Sequence, residues 1–164
     1  MEFIYIGDIV NTHGIKGEVK ILSDIKYKDL IFSKNNNLYV GKNKEKLIIN
    51  SYRKHKNFDM VTFDGITNIN DVLIYKSEKV YINRNEIDID GYFKEDLIGL
   101  NVYSSNKYVG EVVDIVSNGI YDIFVIYNNS VKNLVPNIDE FVSNIDIENK
   151  RIYINSIEGL LNED

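Results

Sequence analysis

Phe3 to Leu22 reads FIYIGDIVNTHGIKGEVKIL, and the fold turns on how its middle is read. On either side, apolar residues alternate with polar or small ones, a period of two that belongs to half-buried strands. Between them lies NTHGIKGEV, Asn11 to Val19, with Gly14 and Gly17 three apart around Ile15 and Lys16. Glycine adopts φ > 0 at little cost, so GIKG suits a turn joining two strands. The same loop could instead present His13, Lys16 and backbone N–H groups to a phosphate. The two readings are compatible. A dinucleotide fingerprint does not fit, because GIKG is too short and no helical pattern follows it.

Working outward, the same signal recurs. Strands are expected at Phe3–Val10, Glu18–Ser23, Asn37–Val40, Lys46–Tyr52, Met60–Phe63 and Val80–Ile82. After a polar, acidic stretch at residues 83–93, NRNEIDIDGYF, come Ile98–Tyr103, Val109–Val116, Ile123–Tyr127, Asn133–Val135 and Arg151–Ile154. Asp64-Gly65, Asn118-Gly119 and Asn128-Asn129 supply turns between them. Strands about ten residues apart favour small barrels or sandwiches over alternating β and α units. Helix is scarce. One short helix is expected at Asn68–Tyr75, capped by Thr67 or Asn68, with Ile69, Val72 and Leu73 inward; a weaker helical turn falls at Ile138–Val142. The boundary in the acidic stretch gives two domains, residues 1–86 and 87–164, each large enough to fold alone.

Charge is divided between the two parts. Residues 1–90 hold 14 Lys/Arg and 13 Asp/Glu, leaving +1; residues 91–164 hold 5 and 12, leaving −7, which together make the chain's −6. Domains so different in charge suit different partners. Cysteine is absent, which excludes disulfides, zinc–cysteine sites and a thiol nucleophile and fits a reducing, cytoplasmic setting. Glu2 and Asp8 do not suit an export signal, and no apolar run approaches the ~20 residues of a membrane span.

Catalytic patterns are missing. His13 and His55 are far apart in sequence, no GxSxG elbow occurs, and no nucleophile or acid–base group has a visible partner. The expectation is a binding protein with no catalytic residues, metal or cofactor. Two basic clusters stand out: Lys16, Lys20, Lys26 and Lys28, and Lys42, Lys44, Lys46, Arg53, Lys54, His55 and Lys56. They read equally as a solvated barrel surface or as phosphate contacts. In DGYFKEDLIG, Asp90 to Gly99, the adjacent Tyr92 and Phe93 lead into a strand, where neighbours point to opposite faces. One of them could be core and the other an anchor for a basic protein.

These stretches together resemble one family. IGDIVNTHGIKGEVKI is similar to the N-terminal signature of the ribosome maturation factor RimM family, and FDGITNINDVLIYKSEKVYI to its central segment. YFKEDLIGLNVY resembles the start of that family's second domain; VGEVVDIVSNGIYDIFVI, LVPNIDEFV and IEGLL follow in the family's order. The resemblance implies a mainly β fold of two small antiparallel β-barrels in tandem, a translation-factor-like barrel and then a PRC barrel, with one or two short helices.

It also implies a non-catalytic assembly factor, monomeric and cytoplasmic, that binds the immature 30S small subunit and aids maturation of the 3′ head domain of 16S rRNA. It would contact the nineteenth small-subunit ribosomal protein through the positions held here by Tyr92, Phe93, Asp96 and Leu97. The residues expected at rRNA are His13, Gly14, Lys16, Gly17, Lys20, Arg53, Lys54 and Lys56. The chain departs from the family pattern at Phe93 and Lys94, where aromatics are usual, and at Lys16, where arginine is frequent; lysine meets phosphate without bidentate geometry. The competing reading is a stand-alone PRC-type adaptor that binds another protein or a small ligand without RNA.

Overall fold

Ile4 and Ile6 alternate inward along the first strand, β1 (Phe3–His13), Ile9 faces inward again after a register shift between Tyr5 and Gly7, and their burial is what makes it a barrel stave. Five more strands complete the first unit, Met1–Asp90: β2 (Glu18–Leu22), β3 (Asn37–Val40), β4 (Glu45–His55), β5 (Phe58–Phe63) and β6 (Lys79–Asn83). They close into a barrel in the order β1-β2-β5-β4-β3-β6. Val19, Ile21, Leu38, Ile49, Val61, Phe63, Val80 and Ile82 fill it, each essentially inaccessible to solvent. Register shifts between Ile9 and Asn11 and between Ile49 and Ser51 mark bulges that bend β1 and β4 into the closed sheet. Both strands run longer than their apolar pattern, because polar residues after each bulge keep the ladder going to the rim.

The expected helix at Asn68–Tyr75 is instead two short 3₁₀ turns, Ile69–Asp71 and Leu73–Tyr75. Asn68 caps the first, accepting from the Asn70 N–H at 2.8 Å. With three residues per turn, Val72 and Tyr75 share the buried side, and Leu73, expected inward, is 49% exposed. A four-residue helical turn the sequence did not signal, α1 (Lys28–Ile31), plugs one end of the barrel with buried Ile31 and Phe32. Beneath it Asp59 shares the inward face of β5 with Val61 and is wholly buried. Its carboxylate pairs with Lys28 Nζ at 2.8 Å and accepts from the Tyr52 hydroxyl at 2.7 Å, and Phe32 stacks on Tyr52 with centroids 5.1 Å apart.

The structure is a computed structural model and describes residues 1–155 and 161; the IEGLL resemblance therefore lies outside the described residues except for Leu161. The second unit, Gly91–Asp164, begins with a helical turn, α2 (Lys94–Leu97). Its strands are β7 (Asn101–Ser104), β8 (Lys107–Ser117), β9 (Asp122–Asn128), β10 (Val131–Pro136), β11 (Val142–Asp146) and β12 (Arg151–Ile154). They form one six-stranded sheet in the order β10-β9-β8-β7-β12-β11 around Val102, Val112, Phe124, Ile126, Val135 and Ile152. All neighbours are antiparallel except β12 and β7, which run parallel. β11 is a strand the sequence did not signal, and Ile138–Phe141 is a turn closed by bonds from Phe141 and Val142 N–H to the Ile138 carbonyl. The chain is mainly β, in two units.

Candidate functional site

At one rim of the first barrel the loop between β1 and β2 is held from behind. Gly14 and Gly17 have φ of 71° and 88°. At Gly17 a Cβ would also come within 3.3 Å of the Asn68 carbonyl oxygen, so glycine is required twice over. The Ile69 N–H donates to the Ile15 carbonyl at 3.0 Å and fastens the loop to the first 3₁₀ turn. Ile15 and Lys16 are left exposed at its tip.

His13 ends β1 and stands opposite Glu18 on β2. Glu18 accepts two hydrogen bonds from Arg53 on β4, at 3.0 Å from Nε and 2.7 Å from Nη2. His55, two residues on along β4, brings its ring to 6.0 Å from that of His13. Lys20, Met60 and Arg53 form one cross-strand row over β2, β5 and β4. Met60 is nonetheless wholly buried. Lys20 Nζ sits 4.7 Å from the centroid of the Phe58 ring. Lys56 is exposed in the turn joining β4 and β5.

The charges act on one another. Hydrogen bonds from Arg53, with the charges of Arg53, His13 and His55, hold the Glu18 carboxyl below its usual value against the opposing effect of burial. Arg53 is raised in return, chiefly by its bonds to Glu18. His55 is held below the ordinary histidine value, first by loss of solvent and then by Arg53, Lys56, His13 and Lys20. A surface whose cations disfavour one another's charge is stabilised by an added anion.

The rim thus gathers His13, Gly14, Lys16, Gly17, Lys20, Arg53 and Lys56. Lys54 does not join them; it alternates to the other side of β4, in register with Asp59. The two basic clusters of the sequence also come apart. Lys28 is spent on Asp59, and Lys44 lies over the Tyr81 ring at 4.0 Å, at the far end of β4. An eleven-residue strand puts its two ends about 30 Å apart. Glu18 and Phe58 were not singled out, and His55 stood only as one member of a basic run; what joins them is the meeting of β2 with β4 and β5, which no local signal marks. Among the described residues no group of three or more His, Asp or Glu is placed to hold a metal.

In the second unit the pair Tyr92–Phe93 precedes the turn α2, not a strand. The Phe93 N–H donates to Asp96 Oδ2 at 2.8 Å, capping the turn. Phe93 and Leu97 are interior, 3% and 2% exposed. Tyr92 is half-buried against the sheet's core, and its hydroxyl accepts from Asn137 Nδ2 at 3.1 Å. Of the four expected contact residues, Tyr92 and Asp96 reach the surface.

The models of two domains match the chain: the RimM N-terminal domain over residues 4–87 and the RimM PRC barrel domain over residues 94–160. The chain is 42% identical to the ribosome maturation factor RimM of Staphylococcus haemolyticus, over 96% of this chain and 98% of that one. It is 36% identical to the protein of that name from an Exiguobacterium species, over 100% and 99%. A solved structure, the N-terminal domain of RimM from Thermus thermophilus, is 13% identical with a TM-score of 0.46, covering 54% of this chain and 98% of its own.

Proposed function

The chain belongs to the RimM family of ribosome maturation factors, and from that premise we propose that it binds the immature 30S subunit through both units and favours the productive shape of its head. The observation that carries this is the gathering of Lys20, Arg53, His55, His13 and Lys56 at one rim of the first barrel. Exposed cations beside a backbone-rich loop suit the phosphates of 16S rRNA, with Lys16 at the loop tip as a further point charge. His13 helps order this surface and transfers no proton.

The second unit, with its −7 charge, suits a basic partner, the nineteenth small-subunit ribosomal protein. Tyr92, with Asp96 beside it, is the exposed part of that contact; Phe93 and Leu97 hold the turn beneath it. The protein acts by binding, without catalysis or cofactor, as a cytoplasmic monomer. A ligand shifts an equilibrium only by its different affinities for the two states. Full-length protein should therefore bind small subunits with an unfinished head more tightly than assembled ribosomes. Equal affinity for the two particles would contradict the proposal.

A further inference from the structure

The outer face of the second sheet holds an aromatic row. In register across three adjacent strands lie Tyr108 on β8, Tyr103 on β7 and Tyr153 on β12, followed by Asn144 on β11. Side chains in register share a face, and the rings touch. Tyr103 and Tyr108 have centroids 5.6 Å apart at 64°, and Tyr103 and Tyr153 6.3 Å apart at 34°. The next row reads Glu111, Asn101, Arg151 and Asp146. Beside the tyrosines an open hollow of about 530 Å³ is lined by Tyr103, Tyr153, Ser105, Asn106, Asn144 and Asn155 among others. The Asn144 side chain makes no hydrogen bond among the described residues.

Exposed aromatics on a sheet can stack on nucleic-acid bases or receive cations, and charge decides between these. A nucleic-acid strand needs a positive groove along its backbone, and residues 91–164 carry −7. A cation is already in place: the Arg151 guanidinium lies 4.7 Å from the Tyr103 centroid. Glu111 and Asp146 border the row, and the hydrogen bonds from Asn149 hold the Asp146 carboxyl below its usual value, so it stays anionic. Amide and hydroxyl oxygens around the hollow are acceptors for guanidinium N–H groups.

We propose that the Tyr108–Tyr103–Tyr153 row and the hollow beside it receive arginine side chains from an extended, basic segment of a partner protein. This rests on the reading of the second unit as the part that meets a basic protein, and it uses side chains other than Tyr92. Arg151 occupies the central ring in the free protein and competes with the incoming arginines.

The test uses the full chain, a fluorescent peptide of alternating arginine and glycine, and polyuridylate as the nucleic-acid probe, with binding read by anisotropy. The peptide should bind more tightly than polyuridylate. Tyr108→Ala and Tyr153→Ala should each weaken the peptide about two- to fivefold, as expected for loss of an exposed cation–π contact. Tyr108→Phe, which keeps the ring and the fold, should retain affinity. Arg151→Ala should tighten the peptide, because it empties a ring face and removes a like charge. Weaker peptide binding by Arg151→Ala, tighter binding of polyuridylate, or unchanged affinity in Tyr108→Ala would overturn the proposal. Peptide affinity lost in Tyr92→Ala and kept in Tyr108→Ala would move the peptide site to Tyr92 and overturn the proposal as well.

Discussion

At the rim of the first barrel the exposed groups are cations on long stems, Lys20, Arg53 and Lys56; on the outer face of the second sheet they are tyrosines bordered by carboxylates. The interiors differ in the same sense. The first barrel buries an ionised group, Asp59, whereas the buried polar side chains of the second unit's described residues, Ser104 and Asn133, are neutral. Two β units of similar size in one chain therefore meet their surroundings by different physics. One offers point charges that salt screens, and the other offers ring faces and amide acceptors whose pull depends on close packing.

The sharpest way to break this contrast is to disturb each interior. Leu97→Ala empties a buried site in the second unit's core and should cost that unit about 2–5 kcal/mol while the first melts unchanged, as calorimetry of the two transitions would show. Loss of binding in that variant would report folding; Tyr92→Ala is the cleaner probe of contact. Lys28→Ala leaves the Asp59 carboxylate buried beside Tyr52 alone and should cost the first unit about 3 kcal/mol. A cost well under 1 kcal/mol would mean that solvent reaches Asp59 and that the plug α1 is loose.

These two sites also show what the sequence could disclose. Strands built on alternation were legible, because burying Ile4 and Ile6, or Val19 and Ile21, requires that spacing. α1 and α2 have four residues each, too few to display a helical period, so Lys28 read as one more surface lysine and Tyr92–Phe93 as the start of a strand. β11 reads VSNID, with too few apolar positions to announce a strand. At the rim, His13, Lys16 and the glycines stood out because they are adjacent in the chain. The Glu18–Arg53 pair and the approach of His55 arise from barrel closure, which no local pattern records.

Smaller effects sharpen the rim itself. Glu18→Gln removes the one carboxylate of the rim cluster and releases Arg53, so affinity for head-domain rRNA should rise about threefold, roughly the scale of an exposed ion pair. Weaker binding would mean that Glu18 holds Arg53 in its working position. The smallest effect is in pH. His55 sits below the ordinary histidine value of about 6.5 because of partial burial and nearby Arg53, Lys56, His13 and Lys20. A phosphate nearby favours its protonated form, so rRNA affinity should rise as pH falls below that value, and His55→Gln should flatten the rise. A profile unaltered by that substitution would place His55 away from the phosphate.

The division of labour is tested most directly by the salt dependence of full-chain binding to naked head-domain 16S rRNA. Lys20→Gln combined with Lys56→Gln should lower affinity and reduce the slope of log affinity against log salt by about 1.5, two phosphate contacts' worth. Tyr92→Ala combined with Tyr108→Ala should change neither. Equal losses from the two pairs, or a slope untouched by the lysine pair, would contradict the assignment of phosphate to the first unit and protein to the second.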